Sequence, residues 1–145
     1  MYKHILVPID LNDKGFSDKA IELAVWHAKN ANAELHLLNV LPGFHMPMVA
    51  AYFPKGAAQQ MKVNVKKQLS QFAETHINDD VKYKTYVAEG KPYTTILEYA
   101  AKLGADLIII PGHRHSTLDR VILGSVASKV VENSPVNVLV VKPQG

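Results

Sequence analysis

The sequence has 145 residues, no cysteine and a formal net charge of +3, from 16 basic and 13 acidic residues. This length fits one domain, so we expect residues 1–145 to fold as a single unit with its own core. The lack of cysteine excludes a disulfide framework and a thiolate zinc site. The scattered lysines predict no nucleic-acid partner. No apolar run approaches the roughly 18 residues of a membrane span, and the N-terminus turns polar too early for a signal peptide.

The first half of the chain contains two predicted strands, each followed by a predicted helix. Apolar, β-branched runs predict strands over 4–9 and 34–41. Apolar residues at helical spacing predict helices over 17–30 and 57–76, the first with Ser17 as its cap. "PGFHMPMVAAYFPKG", between the second strand and the second helix, predicts a loop or a lid. The apolar face of the second helix is predicted to consist of Met61, Val65, Leu69 and Phe72.

The second half of the chain continues the alternation of strands and helices. "VKYKTYVAEG" (81–90) alternates apolar and polar residues, which predicts a strand near a sheet edge. A helix over 91–104 is predicted next, with Pro92 in its first turn and Gly104 just past its end. A strand over 105–110, a helix from Gly124-Ser125 to "ENSP", and a last strand over 136–142 complete the chain.

This order, strand–helix four times and then a strand, predicts an α/β fold. We expect a single-domain, doubly wound, Rossmann-like sheet of five parallel strands in the order 3-2-1-4-5, with helices on both faces. Ligands of such sheets bind outside the carboxyl ends of the strands. The end of strand 1, Pro8-Ile9-Asp10, is therefore expected to meet the loop 111–125 that follows strand 4.

Few residues near those strand ends indicate a specific chemistry. Asp10 either holds a divalent ion at a polyphosphate or caps the first loop. Ser125, after Gly124, either binds an anion at a helix N-terminus or is an ordinary cap. His113 and His115 lack an obvious third metal ligand, and the other five histidines, among them His4 and His36, receive no role. Because the phosphate-loop, dinucleotide and nucleophile-elbow motifs are all missing, we expect no enzyme.

Three motifs together resemble the universal stress protein family. They are "YKHILVPID" at the start, "DLIIIPGHRHSTLDRVILGS" near the end, and "PVNVLVVK" at the close, in the family's order and spacing. The resemblance implies a small cytoplasmic α/β protein that forms a homodimer or a tetramer. The last strand is expected to join the copies, because "VNVLVVK" is an apolar edge of the predicted sheet and needs a cover. The resemblance also implies a regulator that binds ATP, ADP or AMP with Mg²⁺, although one class of the family binds no nucleotide.

The family's ATP loop, G-x2-G-x9-G-[ST], matches this chain only in part. Gly124 and Ser125 fit the final pair, whereas Pro111 and Arg114 stand where the first two glycines are expected. Bacterial members of the F and G type also carry a His-Arg pair here. The resemblance implies Asp10 as the metal ligand and a nucleotide site made of Pro8, Ile9, Asp10, Val40, Ile110, Gly112, His113, Arg114, Gly124, Ser125 and Val126.

Three other functions compete with an ATP-binding stress protein. The chain is alternatively a stress protein without nucleotide that acts through protein–protein contacts. A response-regulator receiver has a similar fold, but it needs an aspartate at the end of strand 3, where this chain has "YVAEG". A flavodoxin-like FMN protein matches in fold alone, which does not imply function.

Overall fold

Five parallel strands form the central sheet of the computed structural model, in the predicted order. The fifth strand of that order is the last strand of the chain, which is β7 in the numbering below. The structure describes residues 1–12, 15–41, 56–115 and 120–142, and for 113–115 and 120–122 only the backbone is considered. The predicted loop over 42–56 therefore lies almost wholly outside the described residues. In chain order the elements are β1 (His4–Pro8), α1 (Asp18–Ala31), β2 (Glu34–Leu41), α2 (Ala57–His76), β3 (Tyr83–Glu89), α3 (Pro92–Leu103), β4 (Leu107–Pro111), β5 (His113–His115), β6 (Arg120–Ile122), α4 (Ser125–Asn133) and β7 (Asn137–Val141).

Helices cover both faces of the sheet, as the sequence predicts. Successive side chains of a strand point to opposite faces, so an interior strand of a covered sheet is mainly apolar on both faces. In β1, Ile5 and Val7 pack in the cluster with α1 and α2, while Leu6 packs in the cluster with α3 and α4. β4 divides its isoleucines in the same way, with Ile109 on the first face and Ile108 on the second.

The loop predicted over 111–125 contains a short hairpin that the sequence patterns miss. β5 pairs antiparallel with β6, with His113 opposite Ile122 and Arg114 opposite Val121. Each strand has three residues, too few to establish an alternating apolar pattern. The hairpin places Gly124 at the N-cap of α4, which begins at Ser125 as predicted.

The residues predicted to mark helix ends lie at the helix ends, but Ser17 does not make the predicted capping hydrogen bond. Pro92 occupies the first turn of α3, and Gly104 ends it in the left-handed conformation at φ 66°. Ser17 precedes α1 as predicted, but its hydroxyl makes no capping hydrogen bond to the helix. It accepts the N–H of Asp10 at 3.1 Å instead, because the loop from β1 folds back over the start of α1.

The two edges of the sheet are β3 and β7. β3 has only one fully buried residue, Ala88, which agrees with its alternating sequence. β7 is apolar yet only partly buried along Val138, Leu139 and Val140. No helix in the described part of the chain is both long and apolar enough to cross a membrane.

Candidate functional site

A cavity of about 590 Å³ opens at the carboxyl ends of β1, β2 and β4. Its volume is in the range of small-molecule sites. It lies where ligands of doubly wound sheets bind, next to the switch point between β1 and β4. The lining residues that the sequence predicts are Pro8, Ile9, Asp10, Val40, Ile110 and Val126; the others are Leu11, Asn12, Phe16, Leu38, Asn39, Leu41, Met61, Asn64, Val65, Gln68, Pro92, Ile96, Pro111 and Ala127.

The cavity exists because β1 ends before β2 does. The last ladder bond runs from the N–H of Ile9 to the carbonyl of Leu38 at 2.8 Å. In a continued parallel ladder, the carbonyl of Ile9 would accept the N–H of Val40. Here that carbonyl accepts the side-chain amide of the buried Asn39 at 2.9 Å. Asn39 was not predicted as a site residue, because a single asparagine in an apolar run is not by itself a signal.

Val40 turns its backbone toward the cavity. The carbonyl of Leu38 faces β1, whereas the carbonyl of Leu41 faces β3 and accepts the N–H of Gly90 at 3.1 Å. Since backbone groups alternate in direction along a strand, those of Val40 face the β1 side, beyond the point where β1 ends. One peptide donor and one peptide acceptor therefore point into the cavity.

Asp10 is exposed at the rim of the cavity and belongs to an ordered turn. Its Oδ1 accepts the N–H of Asn12 at 2.9 Å, and its own N–H donates to Ser17. These contacts match the simpler role considered for Asp10, a cap of the first loop. They do not use up the carboxylate, which has about four acceptor positions on two oxygens. Asp10 can therefore hold the turn and bind a cation as well.

The N-terminus of α4 forms the opposite wall of the cavity. Gly124 is the N-cap and has no side chain to accept the first N–H groups, while its carbonyl accepts the N–H of Ser128 at 2.9 Å. Val126 and Ala127, in the first turn, line the cavity. The first N–H groups of a helix carry partial positive charge and favour an anion.

The end of β4 offers fewer donors than the family pattern implies. Ile110 and Pro111 line the cavity, but proline has no N–H. Gly112 is buried and donates its N–H to the carbonyl of Val141 at 2.8 Å, so this N–H serves the sheet. The backbone of His113 and Arg114 lies in β5, and their side chains are outside the described residues.

One face of α2 completes the cavity, and it differs from the prediction. Met61 and Val65, predicted to pack in the core, line the cavity together with Asn64 and Gln68. Of the predicted apolar face, Leu69 is buried and Phe72 is half-buried. The four lining positions follow the i, i+3, i+4, i+7 spacing of one helical stripe. The two amide side chains among apolar residues in that stripe could have indicated a binding surface from the sequence alone.

The walls of the cavity are largely neutral. Among the described lining residues, Asp10 is the one ionisable side chain. Asn12, Asn39, Asn64 and Gln68 contribute amides, and the remaining side chains are apolar. Such a surface suits a flat, polar ring recognised by amides and backbone groups.

A second polar cluster lies at the other end of the sheet, on the face covered by α3 and α4. Nε2 of the buried His36 lies 3.0 Å from Nδ1 of His4 and 3.4 Å from a carboxylate oxygen of Glu34. Nδ1 of His36 lies 2.9 Å from the hydroxyl of Tyr86, and Lys84 approaches Glu34 at 3.7 Å. Burial lowers the pKa of His36 below its ordinary 6.5; Glu34 opposes this shift, and His4 and Lys84 add to it.

Comparison with known proteins identifies relatives along the whole length of the chain. A family model described as "Universal stress protein family" matches residues 1–142. Universal stress protein G of Salmonella typhimurium is 33% identical over 150 residues, which covers 98% of this chain and 100% of that protein.

Solved structures of similar fold include two with nucleotides. A universal stress protein from Archaeoglobus fulgidus in complex with dAMP superposes with a TM-score of 0.68 at 18% identity, covering 96% of this chain and 97% of that one. A universal stress protein in complex with cAMP superposes with a TM-score of 0.64 at 22% identity, covering 97% of both chains. The fold is thus shared, and the sequence match along nearly the whole chain places this protein in the universal stress protein family.

Proposed function

We propose that this protein is an ATP-binding stress regulator that holds an adenine nucleotide in the cavity at the carboxyl ends of β1, β2 and β4. The observation that carries the proposal is that the cavity-facing backbone groups of Val40 and the N-terminus of α4 lie on opposite walls of one cavity. The first suits the edge of a base and the second suits phosphate. The nucleotides bound by two universal stress proteins of the same fold support this choice of ligand.

Each part of the nucleotide has a matching part of the wall. The base would lie between Pro8 and Ile110 with its polar edge toward Val40. The phosphates would extend toward the first turn of α4, at Gly124 and Ser125, and toward the loop that carries His113 and Arg114. Asp10 would hold Mg²⁺, since this ion prefers carboxylate and phosphate oxygens. ADP and AMP would use the same base site with fewer phosphate contacts.

The protein would act by binding and not by fast catalysis. The single ionisable side chain in the described wall provides no acid–base pair for rapid hydrolysis. Because the chain belongs to the universal stress protein family, the proposed regulator would act in the cytoplasm during a stress response.

Self-association through β7 would join two copies. The carbonyl of Val141 faces β4, where it accepts from Gly112, so the backbone groups of Val138 and Val140 face the open edge. An apolar edge of this kind invites pairing with another strand. A second copy related by a two-fold axis is the simplest cover, which makes a homodimer the proposed assembly.

Calorimetric titration of the protein with ATP, with and without Mg²⁺, tests the nucleotide site. Asp10→Asn keeps the shape and removes the charge, so we expect affinity for Mg·ATP to fall about tenfold or more, with loss of the Mg²⁺ effect. The matched control is Asp80→Asn, because Asp80 is an exposed carboxylate paired with Lys29 and does not line the cavity. Equal affinity of wild type and Asp10→Asn at every Mg²⁺ concentration would refute the role of Asp10.

The alternative is a stress protein that binds no nucleotide and acts through protein contacts. One observation favours it: the end of β4 lacks the donors of the family's ATP loop, since Pro111 has no N–H and the N–H of Gly112 is used by Val141. Denaturing the purified protein and analysing the released small molecules separates the two. Absence of adenine nucleotide, together with no heat on ATP titration, would establish the alternative.

A further inference from the structure

The cluster of His4, Glu34 and His36 lies far from the proposed nucleotide site along the strands. His4 and Glu34 are the first residues of β1 and β2 and lie opposite each other in the ladder, and His36 is two residues further along β2. Residues two apart on a strand share a face, so these side chains converge on the same side of the sheet. The cavity, in contrast, begins at the last residue of β1.

We propose that His4 Nδ1, His36 Nε2 and the carboxylate of Glu34 form a binding site for a divalent transition-metal ion, with zinc as the expected ion. Two imidazoles and one carboxylate are an established ligand set for zinc with an open fourth position. The three ligand atoms all lie within 4.8 Å of one another. Water would take the fourth position, because His4 and Glu34 are only partly buried.

The distances in the cluster already approach those of a coordination shell. A tetrahedron with metal–ligand bonds of about 2.0–2.1 Å has edges of roughly 3.3–3.4 Å. His36 Nε2 is 3.0 Å from His4 Nδ1 and 3.4 Å from the Glu34 oxygen. Small rotations of the partly buried His4 and Glu34 side chains would open the center enough for an ion. The buried His36 ring would not need to move.

Tyr86 acts as a positioning residue for this site. Its hydroxyl is 2.9 Å from Nδ1 of His36, and its oxygen can accept a hydrogen bond from the N–H of that nitrogen. With the proton on Nδ1, the lone pair of Nε2 points at His4 and Glu34, as metal binding requires. A partner on the far ring nitrogen is a regular feature of metal-binding histidines.

Lys84 forms an ion pair with the cluster through Glu34. Its ammonium lies 3.7 Å from Glu34, and its side chain is 65% exposed. The flexible stem allows the ammonium to leave for solvent when an ion arrives. Lys84 therefore competes with the metal for Glu34, and Lys84→Gln is expected to tighten binding.

Cobalt(II) titration of chelator-treated, dialysed protein tests the proposal, because four-coordinate Co²⁺ has strong visible absorption bands. We expect one equivalent to produce these bands, zinc to remove them by competition, and zinc to raise the melting temperature. Glu34→Gln and His4→Gln should each weaken Co²⁺ binding about tenfold or more. Tyr86→Phe should weaken it about 10–100-fold through the orientation of His36.

Control variants separate this site from other histidines. His76→Gln, and the double variant His113→Ala with His115→Ala, should bind Co²⁺ as the wild type does. Circular dichroism identifies any variant that fails to fold, and Glu34→Gln keeps the test decisive if His4→Gln fails. The proposal is overturned if the bands never form, if Glu34→Gln binds Co²⁺ as tightly as the wild type, or if only the double variant weakens binding.

Discussion

Replacing Asn39 by leucine tests the interaction that ends the β1–β2 ladder. Asn39 is 9% exposed, and its side-chain amide donates to the carbonyl of Ile9 at 2.9 Å. Leucine has nearly the same shape but no donor, so a buried carbonyl loses its partner. An unsatisfied buried group costs about 1–3 kcal/mol, which we take as the expected loss in the free energy of unfolding.

Urea denaturation followed by circular dichroism measures this loss, and a melt should show a decrease of about 3–10 °C for a domain of this size. Asn30→Leu is the matched control. Asn30 also donates its side-chain amide to a backbone carbonyl, that of Trp26 at 2.8 Å, but on the exposed surface of α1. Its expected change is within about 0.5 kcal/mol.

Equal unfolding midpoints for Asn39→Leu and Asn30→Leu would refute the reasoning. Such a result would mean that water, or the N–H of Val40, satisfies the carbonyl of Ile9 at no cost. Titration with ATP then distinguishes these cases, because pairing of Val40 with Ile9 would withdraw its N–H from the cavity and weaken nucleotide binding.

Three further predictions concern pH, backbone conformation and assembly. The pKa of His36 is lower in the folded than in the unfolded protein, so neutral His36 contributes stability to the metal-free protein above pH 6.5. That contribution should decrease as the pH falls toward the lowered pKa. In urea titrations at several pH values, His36→Gln should show a weaker pH dependence. Gly104→Ala should lower the free energy of unfolding by about 1–2 kcal/mol, because Gly104 has φ +66° although its surroundings leave open space. Gly90→Ala should lower it more, because Gly90 has φ +146° and an added Cβ would lie 2.7 Å from the Thr95 hydroxyl. Equal thermal shifts for the two variants would contradict this. Light scattering should show a dimer at micromolar concentration and a monomer for Val138→Pro, which removes an outward N–H; a monomeric wild type would disprove the β7 contact.

The elements and their order were predictable because their signals are local. Each strand of the central sheet has five to eight residues and is mainly apolar or, in β3, alternates apolar with polar residues; each helix has an apolar stripe, so periodicity identifies both. Pro92 and Gly104 mark the ends of α3 through the conformations that only these residue types favour. The sheet order follows from alternation and crossover handedness, which leave few arrangements.

The lining of the cavity was predictable where it coincides with strand ends and with the first turn of α4, at Val126. Pro8, Asp10, Val40 and Ile110 lie at the cavity because carboxyl ends of parallel strands meet at one edge. Met61 and Val65 are predicted only as part of the apolar face of α2, because apolar residues follow the same periodicity whether they face the sheet or a cavity. The neighbouring Asn64 and Gln68 are not predicted at all.

By itself, the sequence determines the family, the α/β alternation and the edge of the sheet where the cavity lies, because these depend on residues close together in the chain. Only the tertiary structure decides that Asn39 interrupts a ladder, that the N–H of Gly112 is used by β7, and that His4 meets His36 at 3.0 Å. The physical reason is register. His4 and His36 are 32 residues apart, and Tyr86 is 50 residues from His36; no local pattern encodes which of them share a face once the strands align.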